Sequence, residues 1–442
     1  MNVLLVGNGA REHVIAEALA RSRPTPNIFA WMKKTRNPGI AALVDRITVS
    51  NNYNPLGILD FAKKSSVNLA IIGPEEPLFH GVADAMEDAG IRTVGPRQKP
   101  AQLETSKSFT RELMKKYHIP GSPKFKIFKT MNGLEKYLNE NMPVVLKPDG
   151  LTGGKGVMVQ GEHFDTIAEA LKICREILKE HRAVVVEKKL LGEEFSLQCF
   201  VSGMDVKTMP PVQDHKRRFM YDQGPNTGGM GSYSCANHLL PFLTPNGLAQ
   251  ATEIMRLTVK ALTLETGQRY KGVIYGNFMV TADGIKLIEF NARFADPEAM
   301  NVLPIMETDF LTVCQAIVDD QLDQLDVKFK SLATVVKYVV PVNYGLPEDQ
   351  HHAVKSDIIR IDDIGQAKLY YAGVYSDKTG LHLTSSRALA VLGVSPDLYE
   401  AEIIADRAAD NITGAVDYRT DIGKIAALME KIEKQCGDIW KN

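Results

Sequence analysis

Residues 144–157 read VVLKPDGLTGGKGV: an apolar run ending in Lys147, a turn holding Gly150, Gly153, Gly154, Lys155 and Gly156, and a fresh apolar start at Val157. A P-loop needs Ser or Thr directly after its lysine, and then a helix. Here Gly156 takes that place and the strand-like VMVQ follows, so the stretch predicts a β-hairpin with a glycine-rich turn. Its chemistry still suits a phosphate cradle. Flexible backbone N–H groups can fold over phosphate oxygens while Lys147 and Lys155 supply charge. A hairpin turn with incidental lysines is the competing reading.

Further along, AVVVEKKL (183–190) ends a strand and GEEF (192–195) starts another. A strand edge at Glu187, Lys189 and Leu190 could offer backbone groups to an adenine, and Glu194 could accept from ribose hydroxyls. A solvated turn explains the same residues. LIEFNARF (287–294) says more. Period-two alternation puts Glu289, Asn291 and Arg293 on one face and Ile288, Phe290, Ala292 and Phe294 on the other. A carboxylate and an amide oxygen two residues apart are hard ligands suited to Mg²⁺. Arg293 is placed for a phosphoryl or carboxylate group, and Asp296 and Glu298 add acid at the same edge.

The chain opens with VLLV (3–6) running into GNGARE (7–12), a buried strand followed by a glycine turn and a helix. A dinucleotide site needs GxGxxG and an acid about 20 residues on. Glu12 replaces the third glycine, and Trp31, Lys33 and Lys34 stand where the acid belongs, which argues against NAD binding. Gly9 and Arg11 could instead meet the phosphate of a small molecule at the helix start; a tight turn without ligand is the alternative. GPEEPL (73–78, with Glu75) and GPRQKP (95–100) follow later strands and are expected at the same edge.

Strand and helix alternate to about residue 102, giving an open α/β domain. Residues 103–330 form a strand-rich α+β region with a helix expected over 102–117 and a lid subdomain over about 120–190; 331–442 form a small closing domain with strands at 333–340, 369–375 and 388–392. The balance of 52 Lys and Arg against 53 Asp and Glu argues against nucleic acid or an anionic membrane as partner. Five scattered cysteines, including Cys436, without any CxxC read as free thiols in a reducing compartment. No apolar run is long enough to span a bilayer, and the N-terminus has no signal pattern; a cytoplasmic protein is expected.

The glycine-rich stretch DQGPNTGGMGSYS (222–234) is a connector or a surface closing over something small and charged, with QDHKR (213–217) just upstream. GGKG, EKKLLGEE and EFNARF together resemble the ATP-grasp superfamily. QDHKR, GPNTGGMGSYS (224–234), EFNARFADPE (289–298), GNGAREH (7–13), GPEEPL, LETSKSFTRE (103–112) and DIGKI (421–425) narrow the resemblance to the phosphoribosylamine–glycine ligase family, along essentially the whole chain.

The resemblance implies an N-terminal pre-ATP-grasp α/β domain, an ATP-grasp core with a mobile lid, and a C-terminal domain packing on both. It implies ATP and Mg²⁺ (or Mn²⁺) as cofactors, glycine and 5-phosphoribosylamine as substrates, and a monomer or weak homo-oligomer. Lys107, Lys147 and Gly153 to Gly156 would contact ATP phosphates; Glu187, Lys189 and Leu190 adenine; and Glu194 ribose. Glu289 and Asn291 would be metal ligands. Arg293, Lys216 and Asp214 would be catalytic, with Gly9, Arg11, Glu75, His215, Asn226, Thr227, Gly228, Gly229 and Asp296 binding substrate. The family has glycine where Ala10 and Ala295 stand, and Gly-Gly-Arg where Ser385-Ser386-Arg387 stands. A Cβ at Ala10 or Ala295 would strain a left-handed backbone. Two rivals are another ATP-grasp carboxylate–amine ligase and an ATP-binding module without catalysis. QDHKR with GPNTGGMG speaks against the first, and the retained Glu289, Asn291, Lys147 and Lys155 against the second.

Overall fold

The N-terminal apolar run forms β1 (Asn2–Val6), the centre of a parallel sheet with β2 (Asn27–Lys33), β3 (Arg46–Ser50), β4 (Leu69–Ile72) and β5 (Arg92–Val94), in the order β3-β2-β1-β4-β5. Each connection carries a helical segment, and β4 is apolar and buried throughout, as a strand covered on both faces must be. This computed structural model describes residues 1–151, 156–426 and 429; the predicted lid residues Gly153, Gly154 and Lys155, and Cys436, lie outside them.

The strands flanking the glycine-rich segment 150–156 belong to a sheet of their own. The strands β6 (Phe125–Phe128), β7 (Val144–Pro148), β8 (Met158–Val159) and β9 (Val184–Lys188) make an antiparallel sheet in the order β6-β9-β7-β8. Helices Leu134–Asn141 and Ile167–Glu180 pack on it over a small core of its own, including Leu138, Leu146 and Val186. β7 and β8 are the predicted hairpin, with Val145 opposite Val159.

Beside it, β10 (Glu193–Gly203) and β11 (Asp205–Thr208) begin a second antiparallel sheet; after them run β12 (Gln213–Asp214), β13 (Arg217–Phe219), β14 (Gln223–Asn226) and β15 (Gly231–Ser234). β16 (Tyr270–Thr281) and β17 (Gly284–Asn291) complete that second sheet, order β11-β10-β16-β17. The chain then supplies β18 (Ala333–Pro341), β19 (Ile358–Ile361), β20 (Lys368–Tyr371), β21 (Val374–Asp377), β22 (Gly380–Leu383) and β23 (Leu389–Ser395). The path β12-β15-β18-β23-β20 is one sheet. Two strands flanking the glycine-rich stretch therefore pair into the C-terminal sheet, so backbone hydrogen bonds run continuously across residue 330.

Three local expectations are corrected. The helix expected over 102–117 is two helices, Gln98–Thr105 and Lys107–Lys116, because Ser106 is extended (φ −142°) and its Oγ caps the second by accepting from Phe109 N–H. The strand expected over 369–375 is β20 and β21 in different sheets. Strict alternation over 287–294 fails as well. The β16–β17 register slips between Asn277 and Phe278, leaving Ile288 as the extra residue, and β17 ends at Asn291. Ala10 and Ala295 are not among the non-glycine residues at positive φ, so neither alanine carries the strain that a glycine-only backbone would impose.

Candidate active site

The bulge at Ile288 sets the geometry of the site. It turns the Ile288 carbonyl toward two cations, accepting from Lys147 Nζ at 2.9 Å and Arg111 Nη2 at 2.8 Å. Both cations also hold Glu187: Arg111 Nε and Nη2 lie 2.6 and 3.0 Å from its carboxylate oxygens, and Lys147 Nζ lies 2.8 Å away. Burial alone would raise the Glu187 carboxyl, but the charges of Arg111 and Lys147 outweigh it and lower it to about 2. The Glu187 carboxylate is therefore committed within the protein. At the end of β9 the Lys189 N–H donates to the Pro143 carbonyl at 2.9 Å.

A cavity of about 520 Å³ opens between the lid sheet, the β10–β17 sheet and the glycine-rich stretch. Lys107, Lys147, Glu187, Lys189, Leu190 and Glu194 line one side. Glu289, Asn291, Arg293, Asp214, His215 and Lys216 line the floor, and Asn226, Thr227, Gly228, Asp296 and Glu75 the far side. Residues from seven separated stretches of sequence thus meet in one place. Gly9, Arg11, Gly156 and Gly229 are not among its lining residues. The reason is plain for the first two. The N–H of Gly9 donates to Glu12 Oε2 at 2.6 Å, and Arg11 is buried against Glu12 Oε1 at 2.6 Å and the Phe294 carbonyl at 3.1 Å. Glu12 fills the hollow that three glycines leave, since a Cβ at Gly7 or Gly73 would lie under 3 Å from it. The first turn satisfies itself. GPRQKP does not reach the cavity either, because Arg97 turns away to Asp84, Glu87 and Asp88.

Charge is distributed unevenly over the floor. Lys216 Nζ sits 3.0 Å from Glu194 Oε2; burial would lower the ammonium, but Glu194, Glu289 and Asp214 raise it, so it stays charged. Burial lowers Lys107, which donates to the Gly150 carbonyl at 2.8 Å. Asp214 is raised well above the usual carboxylate range by burial and then by the charge of Glu298, which burial raises in turn. Its Oδ1 has no hydrogen-bond partner among the described residues.

Arg293 leaves the end of β17 and is gripped by acids: Glu104 Oε1 is 3.1 Å from Nη2 and Glu75 Oε2 is 3.4 Å from Nε, while Nη2 also donates to Asn291 Oδ1 at 3.1 Å. Glu104 accepts from Ala292 N–H at 2.7 Å, and burial pushes its carboxyl up to about 7 against the pull of Arg293.

Glu289 and Asn291 both line the cavity, and the Asn291 Oδ1 already accepts from Arg293. The Glu289 carboxylate makes no hydrogen bond or ion pair among the described residues, and Asn291 Nδ2 is buried without a partner. No cluster of three or more His, Cys, Asp or Glu suited to a metal occurs among the described residues. A cation here would therefore take the remainder of its shell from phosphate oxygens and water, which fits Mg²⁺. Asn277, opposite Glu289, donates to Glu194 Oε2 at 3.2 Å.

The structure adds residues that spacing alone does not reveal. Arg111 and Glu104 are described above. Arg387, from the segment after β22, pairs with Asp296 at 3.0 Å, donates to the Gly228 and Gly229 carbonyls, and lies 4.3 Å over the Tyr338 ring. Their signals lay in LETSKSFTRE and SSR, but only their chain-distant partners reveal their use.

The comparisons with known proteins agree with one another on the family. The family model "Phosphoribosylglycinamide synthetase, N domain" matches residues 1–104, and "Phosphoribosylglycinamide synthetase, ATP-grasp (A) domain" matches 105–299. A phosphoribosylamine–glycine ligase of Methanocella arvoryzae is 46% identical over 433 residues, 98% of each chain. The chain belongs to the phosphoribosylamine–glycine ligase family. As a member it is an ATP-dependent ligase built on an N domain and an ATP-grasp domain. The crystal structure of phosphoribosylamine–glycine ligase from Thermotoga maritima superposes with a TM-score of 0.78 at 24% identity, covering 96% of this chain and all (100%) of that one. A biotin carboxylase domain of Hydrogenobacter thermophilus 2-oxoglutarate carboxylase, in complex with MgADP and bicarbonate, gives 0.73 at 16% identity, covering 99% and 95%. At these identities the two structures share the fold.

Proposed function

We propose that this ligase joins glycine to 5-phosphoribosylamine with hydrolysis of ATP to ADP and phosphate, forming glycinamide ribonucleotide in purine biosynthesis. The observation that carries the reading is one cavity shared by all these groups. Lys107, Lys147, Glu187 and Glu194 line one side, Glu289, Asn291, Arg293 and Lys216 the floor, and Asp296, Glu75 and the glycine-rich stretch the far side, in a chain aligned end to end with ligases of that name.

In the proposed mechanism a glycine carboxylate oxygen attacks the γ-phosphorus of ATP, and the β–γ bridging bond breaks to release ADP and leave glycyl phosphate. The amine of phosphoribosylamine then attacks the acyl carbon. The C–O bond to phosphate breaks, and the amine proton passes to a base. Lys107, Lys147, Lys216 and Arg293 neutralise charge as it spreads over the transferring phosphoryl oxygens. Asp214, whose carboxyl is raised by burial and by the charge of Glu298, would accept that proton. Backbone groups at Lys189 and Leu190 would hold adenine and Glu194 the ribose; His215, Asn226 and Thr227 would contact the substrates. Glu289 and Asn291 would hold Mg²⁺ (or Mn²⁺), which when bound neutralises phosphate charge. Acyl phosphate and substrate amine are both open to hydrolysis, so closure of the lid sheet over the cavity serves to exclude water.

ADP release is measured with both substrates and with each omitted. The reading requires that release stops without glycine; release at the same rate without it refutes the ligase assignment. Replacing glycine by other small carboxylates separates this enzyme from other ATP-grasp carboxylate–amine ligases. The same reading puts the enzyme in the cytoplasm as a monomer or weak homo-oligomer, and sedimentation over a concentration series tests its assembly state.

A further inference from the structure

The hairpin β13–β14 carries the wall residues Asp222 and Asn226, and its turn is built against its own backbone preference. Tyr221 (φ 58°, ψ 32°) and Asp222 (φ 55°) are consecutive non-glycine residues in the left-handed region. Left-handed conformations cost non-glycine residues free energy and persist only where the surroundings over-determine them. Tyr221 is 69% exposed, so its own side chain is not what holds the turn.

What holds it comes from the far end of the chain. Arg419, 1% exposed, grips Asp421 with both arms of its guanidinium (Nε–Oδ1 2.9 Å, Nη2–Oδ2 2.6 Å). Its Nη1 donates to the Arg217 carbonyl and to Asp222 Oδ1, each at 3.0 Å. Asp421 Oδ2 in turn accepts from Tyr221 N–H at 2.9 Å. One planar ion pair therefore touches the first strand of the hairpin, the strained amide and the wall carboxylate together. Arg218 reciprocates: it is buried in the C-terminal region, donating to the Tyr344 and Val342 carbonyls at 3.0 and 3.2 Å and pairing with Asp417 at 2.9 Å. Two arginines are thus exchanged across the junction.

We propose that Arg419 and Asp421 are positioning residues of the ligase site, holding the Tyr221–Asp222 turn in its left-handed conformation so that the wall at Asp222 and Asn226 faces the substrates. The C-terminal region then acts on catalysis through this pair without touching ATP. The inference rests on the proposed ligase reading for its kinetic readout, and on geometry alone for its structural one.

The test uses the full chain carrying Arg419→Ala. The expected result is a fall in kcat/KM for glycine or phosphoribosylamine of about tenfold or more, the scale of a small misplacement of a substrate wall. Affinity for ADP, measured by calorimetry, is expected to stay unchanged. Adding Tyr221→Gly, which accepts a positive φ without strain, should recover about fivefold of that loss. Should Arg419→Ala fail to fold, Asp421→Asn removes the ionic pairing while leaving Arg419 on the Arg217 carbonyl, and the same pattern is expected at smaller size. Hydrogen exchange of amides 221–224 should accelerate in either variant. A folded variant with wild-type kcat/KM and unchanged exchange overturns the proposal. So does a loss that extends equally to ADP affinity and is not rescued by Tyr221→Gly, which would mark a merely structural pair. If the wild-type chain shows no glycine-dependent ADP release, the ligase reading falls, and the exchange measurement alone decides the clamp.

Discussion

Replacing Glu187 by Gln is the sharpest probe of how the nucleotide arm is built. The carboxylate is pinned between Arg111 and Lys147, and its pKa falls from 4.5 to about 2. A drop of about 2.5 units at about 1.4 kcal/mol each corresponds to about 3 kcal/mol of folding free energy at neutral pH. A second route gives a similar figure: breaking a buried pair costs about 3–5 kcal/mol because a charge is left uncompensated. The low end applies here, since Arg111 and Lys147 keep the Ile288 carbonyl. The sign follows from linkage. A depressed carboxylate stabilises the fold above its unfolded pKa and loses that contribution as pH falls through the folded one. The gap between wild type and Glu187→Gln should therefore be constant from pH 7 to about 4.5 and shrink steadily below, as urea denaturation at each pH can follow. Nucleotide affinity should fall as well, because Lys147 loses the partner that aims it. A variant within about 1 kcal/mol of wild type at pH 7, below the usual cost of a broken buried pair, or a gap that does not close in acid, would refute this account of the arm.

Glu289→Ala should cut turnover by at least about a hundredfold, the scale of losing one oriented charge-stabilising group, with an unchanged denaturation midpoint; full activity in magnesium would remove it as a metal ligand. Arg387→Ala should raise KM for phosphoribosylamine while leaving KM for ATP unmoved, because its contacts are Asp296 and the Gly228 and Gly229 carbonyls; steady-state kinetics in each substrate check this. His13 is held neutral by burial, its pKa lowered to about 4, while its Nδ1 accepts from Tyr371 N–H at 2.9 Å. As pH falls from 6.5 toward 4 the unfolded chain gains a proton that the fold refuses, so stability should drop by about 3 kcal/mol from this group. His13→Gln should flatten that part of the profile, and an unchanged profile would count against it.

Much of the site was legible before any coordinates. The hairpin at residues 144–159, the oxygen donors Glu289 and Asn291, and the stretch from Asp214 to Gly228 announce themselves because glycine, lysine and carboxylate spacing act through local backbone geometry. The errors share one cause. Alternation predicted a straight strand to Phe294, but pairing with β16 inserts a bulge at Ile288, and that bulge supplies the carbonyl on which Lys147 and Arg111 converge. At the first glycine turn, readable as an anion site or as a tight turn without ligand, Glu12 accepts from the Gly9 N–H and fills the hollow.

The sequence by itself determined the family, the elements and the chemical types available to the site. Motifs are short, and their dihedral and charge requirements are met within a few residues. Tertiary structure decided which charges remain available. It set Glu187 between two cations, Arg293 between Glu75 and Glu104, and Arg419 against a turn about two hundred residues earlier. A carboxylate facing a cavity and one spent on a buried guanidinium are the same letter in the sequence. They differ only in the low-dielectric neighbours that folding brings to each.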